Sequence, residues 1–166
     1  GRLGAGVTGI PFTDTYRLKA FCGLEIPGLT SRETSSAFVY DMISAYGGPE
    51  SFYQDFLISA TCPLGFVKTN HQGTEVNFNY YDDPRLQEIM TPFILRTIEE
   101  QLGFGLLTDR CYCLGSNKNY RYLLRLNQEK QWFGEIIPLE HPRFIMQYRL
   151  KQKESYIGHY LSRLKP

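Results

Sequence analysis

Glu135-Ile136-Ile137-Pro138-Leu139-Glu140-His141-Pro142-Arg143-Phe144 is the stretch that decides the fold. Ile136, Ile137 and Leu139 make a short apolar run bounded by polar residues, which predicts a buried strand over Glu135–Leu139. His141 and Pro142 stand at its exit, followed by a cation, Arg143, and a large apolar side chain, Phe144. Working groups of open α/β sheets gather at the carboxyl ends of strands. A histidine fixed there can hydrogen-bond a substrate, and the residues beyond it can push into something stacked.

Outward from that stretch, strands and helices alternate. Arg110-Cys111-Tyr112-Cys113-Leu114-Gly115 reads as a strand, and Ser116 as the cap of a helix carrying Lys118, Arg121, Arg125 and Lys130. Asp83-Pro84 opens a helix whose Leu86, Ile89, Met90, Phe93, Ile94 and Ile98 share one face and which Gly103 ends. Phe56-Leu57-Ile58-Ser59-Ala60 reads as a further buried strand, and Asn70-His71-Gln72-Gly73 as a loop or hairpin. Ser35–Tyr46 is expected to be helical up to Gly47-Gly48-Pro49, and Thr13 or Asp14 to cap a short helix ending at Gly23. Up to Phe12 the chain reads as a glycine-rich loop. This alternation predicts a three-layer α/β sandwich around a mostly parallel central sheet, with Ser59-Ala60, Ser116-Asn117 and His141 at strand ends.

At 166 residues the chain is expected to form one domain over 1–166. Its 42% hydrophobic and 21% charged residues are those of an ordinary globular protein. No apolar run approaches the roughly 20 residues needed to cross a bilayer, so a cytoplasmic monomer without membrane contact is expected. Cys22, Cys62, Cys111 and Cys113 show no zinc-like spacing and read as buried reduced thiols. The net charge of +1 hides an asymmetry: residues up to Asp109 carry 7 Lys/Arg against 13 Asp/Glu, and those from Arg110 onward carry 11 against 4. One positive face favours a polyanionic partner.

Gly4-Ala5-Gly6-Val7-Thr8-Gly9 spells GxGxxG, but Ile10-Pro11-Phe12 follows where a dinucleotide site needs an uninterrupted helix. A nucleophilic hydrolase lacks its GxSxG. His71, His141 and His159 are too dispersed for a metal centre, so neither metal nor cofactor is expected. Asp82-Asp83 could be paired carboxylates, yet Asp83 is better explained as a helix cap.

Gly1, Gly4, Thr8-Gly9-Ile10-Pro11-Phe12, Cys62-Pro63-Leu64 and His141-Pro142 together resemble the single-strand-selective monofunctional branch of the uracil-DNA glycosylase superfamily. Its first motif runs Gly-x-Asn-Pro-Gly-x-x-Gly and continues to Thr-Gly-x-Pro-Phe; this chain matches from the second glycine onward at the same spacing. The resemblance implies base flipping and hydrolysis of the N-glycosidic bond of uracil in DNA. It implies that Phe12 stacks on the flipped base, that Gly1 and Ala5 line the pocket, and that His141 stabilises charge on the departing base. Arg143 and Phe144 become the wedge that fills the gap in the duplex, Pro142 a further DNA-binding residue, and Ser116, Lys118 and Arg143 candidate phosphate contacts.

Three departures shape the expectation. The water-positioning Asn of the family falls two residues before Gly1, so upstream residues are expected, and a chain that truly starts at Gly1 should be a dead or split enzyme. Ala60 aligns with the base-reading Asn, which leaves Ser59, Asn77 or Asn79 to read the base or a pocket that also admits hypoxanthine and xanthine. Arg143-Phe144-Ile145 replaces the family's Ser-Pro, so a bulkier, more basic wedge is expected. The rivals are a non-catalytic nucleic-acid-binding module of the same fold and a small nucleotide-binding enzyme using the glycine loop.

Overall fold

The computed structural model describes residues 4–164, which form two compact units. One is built from the residues up to Ser59 together with those from Glu140 on; the other is Ala60–Leu139.

The first unit is helical. It holds α1 (Ala5–Thr8), α2 (Thr15–Cys22), α3 (Thr34–Tyr46), α4 (Pro49–Asp55), α7 (Pro142–Tyr148) and α8 (Lys153–Leu164). Asp14 caps α2 by accepting the Arg17 N–H at 2.8 Å, and Gly23, in the left-handed region at φ 66°, closes it. Such a cap stabilises a helix by about 1 kcal/mol. The buried Phe38, Val39, Met42 and Ile43 form the apolar stripe of α3, which packs against α7 and α8. The rings of Phe38 and Tyr160 meet edge to face at 5.1 Å.

The second unit is α/β. It holds β1 (Phe66–Thr69), β2 (Glu75–Phe78), α5 (Pro84–Leu102), β3 (Arg110–Leu114), α6 (Lys118–Lys130) and β4 (Glu135–Leu139). The strands β1 and β2 pair antiparallel around Asn70–Gly73, so the loop or hairpin is a hairpin. The strands β3 and β4 pair parallel, Arg110 opposite Glu135 and Leu114 opposite Leu139, with α6 as the crossover. Asp83 caps α5 through bonds from the Arg85 and Leu86 N–H groups. Tyr80, Ile94, Ile98, Cys113, Tyr122, Leu123, Leu126 and Ile136 make its core.

The structure differs from the sequence reading at four places. Phe56–Ala60 is not a strand: the Phe56 N–H closes α4 on the Phe52 carbonyl at 2.9 Å, and Leu57 is exposed, whereas an unbroken apolar strand needs both faces covered. Gly47-Gly48-Pro49 ends α3 but also starts α4, since Pro49 fits a first helical turn. The glycine-rich loop contains one helical turn, α1. Asn117, not Ser116, is the N-cap residue of α6.

Candidate active site

His141 is the N-cap of α7, and Pro142 takes the first helical position. Its Nδ1 accepts the Arg143 N–H at 3.0 Å. That bond assigns the tautomer: Nδ1 is the acceptor, so the neutral ring carries its proton on Nε2. Burial pushes the imidazole from 6.5 down to about 4; the Arg143 guanidinium pushes the same way, and the Glu33 carboxylate opposes both. At neutral pH the ring is therefore an uncharged donor. From α8, the buried Tyr160 donates its hydroxyl to the Glu140 carbonyl and so fixes the residue before it.

Phe12 is held against this histidine. Their ring centroids lie 5.7 Å apart at 58°, inside the roughly 4.5–7 Å of a direct aromatic contact. Phe12 has φ 53°, a conformation that costs a bulky residue roughly 1–3 kcal/mol. The turn is tied down around it: Thr8 Oγ1 donates to the Thr13 carbonyl at 2.6 Å, and Thr13 Oγ1 shares a hydrogen bond of 3.1 Å with the Tyr40 hydroxyl. Thr13 and Asp14 are buried, and Asp14 Oδ2 accepts both Arg17 Nη1 and the Glu33 N–H at 2.7 Å. The strain at Phe12 persists because its neighbours over-determine the turn.

The first unit thus brings together Phe12, His141, Pro142 and Arg143. Phe144 is exposed on α7, its ring 5.6 Å from that of Tyr148 and under the Arg149 guanidinium at 5.5 Å. Ala5 begins α1 and is half-buried; Ser59 lies in the same unit and is exposed. Gly1 lies outside the described residues.

The other candidates belong to the second unit. Ala60 is half-buried, and Asn77 is exposed on β2. The Asn79 amide donates to Asp82 Oδ2 at 2.9 Å, and Lys118 Nζ reaches Asp82 Oδ1 at 2.6 Å. These two partners hold the Asp82 carboxyl below its usual range. Asp82 and Asp83 are therefore not a carboxylate pair: one binds Lys118, and the other caps α5. Lys118 meets its counter-charge within the protein, and Ser116 is exposed beside it in sequence.

Among the described residues no group of His, Cys, Asp or Glu could hold a metal, and no helix is long and apolar enough to cross a membrane. All four cysteines are free; Cys22 is exposed rather than buried, and burial pushes Cys111 up to about 11 and Cys113 up to about 12. Sequence reasoning missed Glu33 and Tyr160, which bear on His141 from far along the chain and carry no local signal.

A family model described as the Uracil DNA glycosylase superfamily matches residues 1–165. A crystal structure of wild-type SMUG2 from Pedobacter heparinus is similar to this chain with a TM-score of 0.95 and 47% sequence identity, covering 99% of this chain and 70% of that one. No curated protein matches.

Proposed function

The chain belongs to the uracil DNA glycosylase superfamily, and from that premise we propose that it is a monofunctional glycosylase that flips uracil out of DNA and hydrolyses its N-glycosidic bond. The observation that carries the site assignment is the neutral, tautomer-locked His141 in ring contact with a strained Phe12.

As the bond between C1′ and the base breaks, its electron pair leaves with the base and positive charge grows on the sugar. The Nε2–H of His141 donates to the base oxygen where negative charge develops. Water adds to C1′; its hydroxyl stays on the sugar and its proton offsets the charge on the released base. Phe12 offers an aromatic face to the base, which does not fit between the two touching rings. Phe144, exposed on the first turn of α7, enters the gap the base leaves, and Arg143, exposed beside it with its guanidinium paired to Glu33, borders that gap. No lysine is assigned as a Schiff-base nucleophile, so the product is an intact strand with an abasic site.

The lesion range is wider than uracil in this reading. Ala60 stands where the family resemblance expects a base-reading Asn, and a methyl group cannot discriminate a base edge by hydrogen bonds. Ser59, Asn77 and Asn79 remain the candidate readers, and the Asn79 amide also donates to Asp82 Oδ2. The protein acts as one monomeric glycosylase domain in the cytoplasm, a compartment that suits four free thiols.

The test is incubation of the full-length protein with oligonucleotides carrying uracil, hypoxanthine or xanthine. Free base and alkali-labile sites without direct strand breaks support the reading. Salt-sensitive DNA binding without base release contradicts it, and strict uracil specificity contradicts the wider lesion range.

A further inference from the structure

Glu33 stands at the N-cap of α3 and does not cap it. Its side chain makes no bond to the first-turn N–H groups, although a side-chain acceptor there ordinarily stabilises a helix. Its carboxylate reaches elsewhere. Oε2 accepts from Ser36 Oγ at 3.4 Å, and Oε1 lies 3.6 Å from Arg143 Nη2. Oε2 also fills the space beside Gly4 so closely that a Cβ there would sit 1.9 Å from it. The Glu33 side chain is only 11% exposed, and a carboxylate withdrawn from water to that degree needs partners.

Both segments that this carboxylate touches lead to the reacting residues. Arg143, whose guanidinium it pairs with, holds His141 Nδ1 through its own backbone N–H. Gly4 accepts at its carbonyl the N–H of Thr8 at 3.0 Å and Thr8 Oγ1 at 3.3 Å, and Thr8 Oγ1 ties to the Thr13 carbonyl across the Phe12 turn. Gly4, the first glycine of the GxGxxG run, is thus explained by an internal carboxylate, with no phosphate needed to account for it.

We propose that Glu33 is a positioning residue of the glycosylase site, whose carboxylate pins Arg143 and the Gly4 turn and thereby keeps His141 and Phe12 in register. The inference rests on the function proposed above. It makes Gly4→Ala and Glu33→Ala act through one contact, because a methyl group at residue 4 displaces the carboxylate from Arg143.

The experiment measures kcat and KM for uracil release, the ¹⁵N shifts of the His141 ring and the unfolding midpoint, in the full-length wild type, Glu33→Ala, Glu33→Gln, Gly4→Ala and the double variant. Expected for Glu33→Ala is a kcat loss of about tenfold to a hundredfold with little change in KM, the size of effect that a small misplacement of a reacting group produces. Its ring shifts should move from a single Nε2–H form to a tautomer mixture. Glu33→Gln, which keeps the shape and an acceptor oxygen, should restore much of both. Gly4→Ala combined with Glu33→Ala should be no worse than either alone, as expected of residues sharing one interaction. Unchanged ring shifts in both Glu33 variants overturn the inference, as do fully additive losses in the double variant. A wild type that releases no uracil refutes the glycosylase function instead, and the ring shifts then judge the positioning role alone.

Discussion

Lowering the pH acts on a single ring at the centre of this site. The His141 imidazole, pushed from 6.5 to about 4 by burial and by Arg143, stays neutral well below the pH at which a free histidine charges. Protonation places a hydrogen on Nδ1, where the Arg143 N–H already donates, so it breaks that bond, and with it the α7 cap and the contact that orients the ring. The kcat/KM for uracil release should therefore show no limb from this group between about pH 5 and 8, and should fall as the pH passes about 4. Stability follows with a defined sign. The folded-state pKa is depressed, so between 6.5 and about 4 the unfolded chain binds a proton that the folded chain refuses, and stability is lost as the pH falls through that window. The full loss is at most roughly 3 kcal/mol, and water reaching the half-buried ring reduces it. Urea unfolding at about pH 7 and 4.5 measures it, with His141→Asn as the reference, since Asn also caps helices but does not titrate. The wild type should lose up to about 2 kcal/mol more than the variant over that interval. A kinetic limb near 6.5, or the same pH dependence of stability in both proteins, refutes the argument.

Phe12→Leu keeps the bulk and removes the aromatic face, so kcat/KM for uracil release should drop by the 1–3 kcal/mol that a base–aromatic stack is worth, about 5- to 150-fold, as read by steady-state kinetics. Phe144→Ala should weaken action on duplex more than on single strands, because only the duplex must be unstacked, and equal losses on parallel substrates would remove its wedge role, whereas Arg143→Ala also breaks the pair with Glu33 and should lower release from both. Tyr160→Phe leaves the Glu140 carbonyl without its donor and should cost about 1–3 kcal/mol in a denaturant titration, together with part of the activity, since that carbonyl precedes His141.

Much of this molecule was legible where the determining chemistry is local. Asp14 and Gly23, and Asp83-Pro84 with the apolar face as far as Ile98, carry their caps and stops within a few residues, and α2 and α5 follow them. β3 and β4 were readable as short apolar runs, and His141 as a residue at the exit of one of them. Phe56–Ala60 misled because composition cannot tell whether a run is covered on both faces. Pro49 misled because the same residue ends one helix and begins another. At the site, the motif residues 12 and 141 were readable from the resemblance, but the Glu33–Arg143 pair joins residues more than a hundred positions apart, and the Asp82–Lys118 pair spans α5 and β3. Such pairs depend on how segments meet, which no window of sequence encodes.

The account stands on the Nε2–H of His141 as the donor that stabilises the leaving base. Its most direct test is the single-turnover rate of uracil release by the full-length His141→Asn variant against the wild type, on single-stranded DNA at about neutral pH. Loss of such a donor should slow release by roughly 10²–10³-fold while the unfolding midpoint stays close to that of the wild type, because Asn still caps α7. Release at the wild-type rate from a folded His141→Asn protein contradicts it.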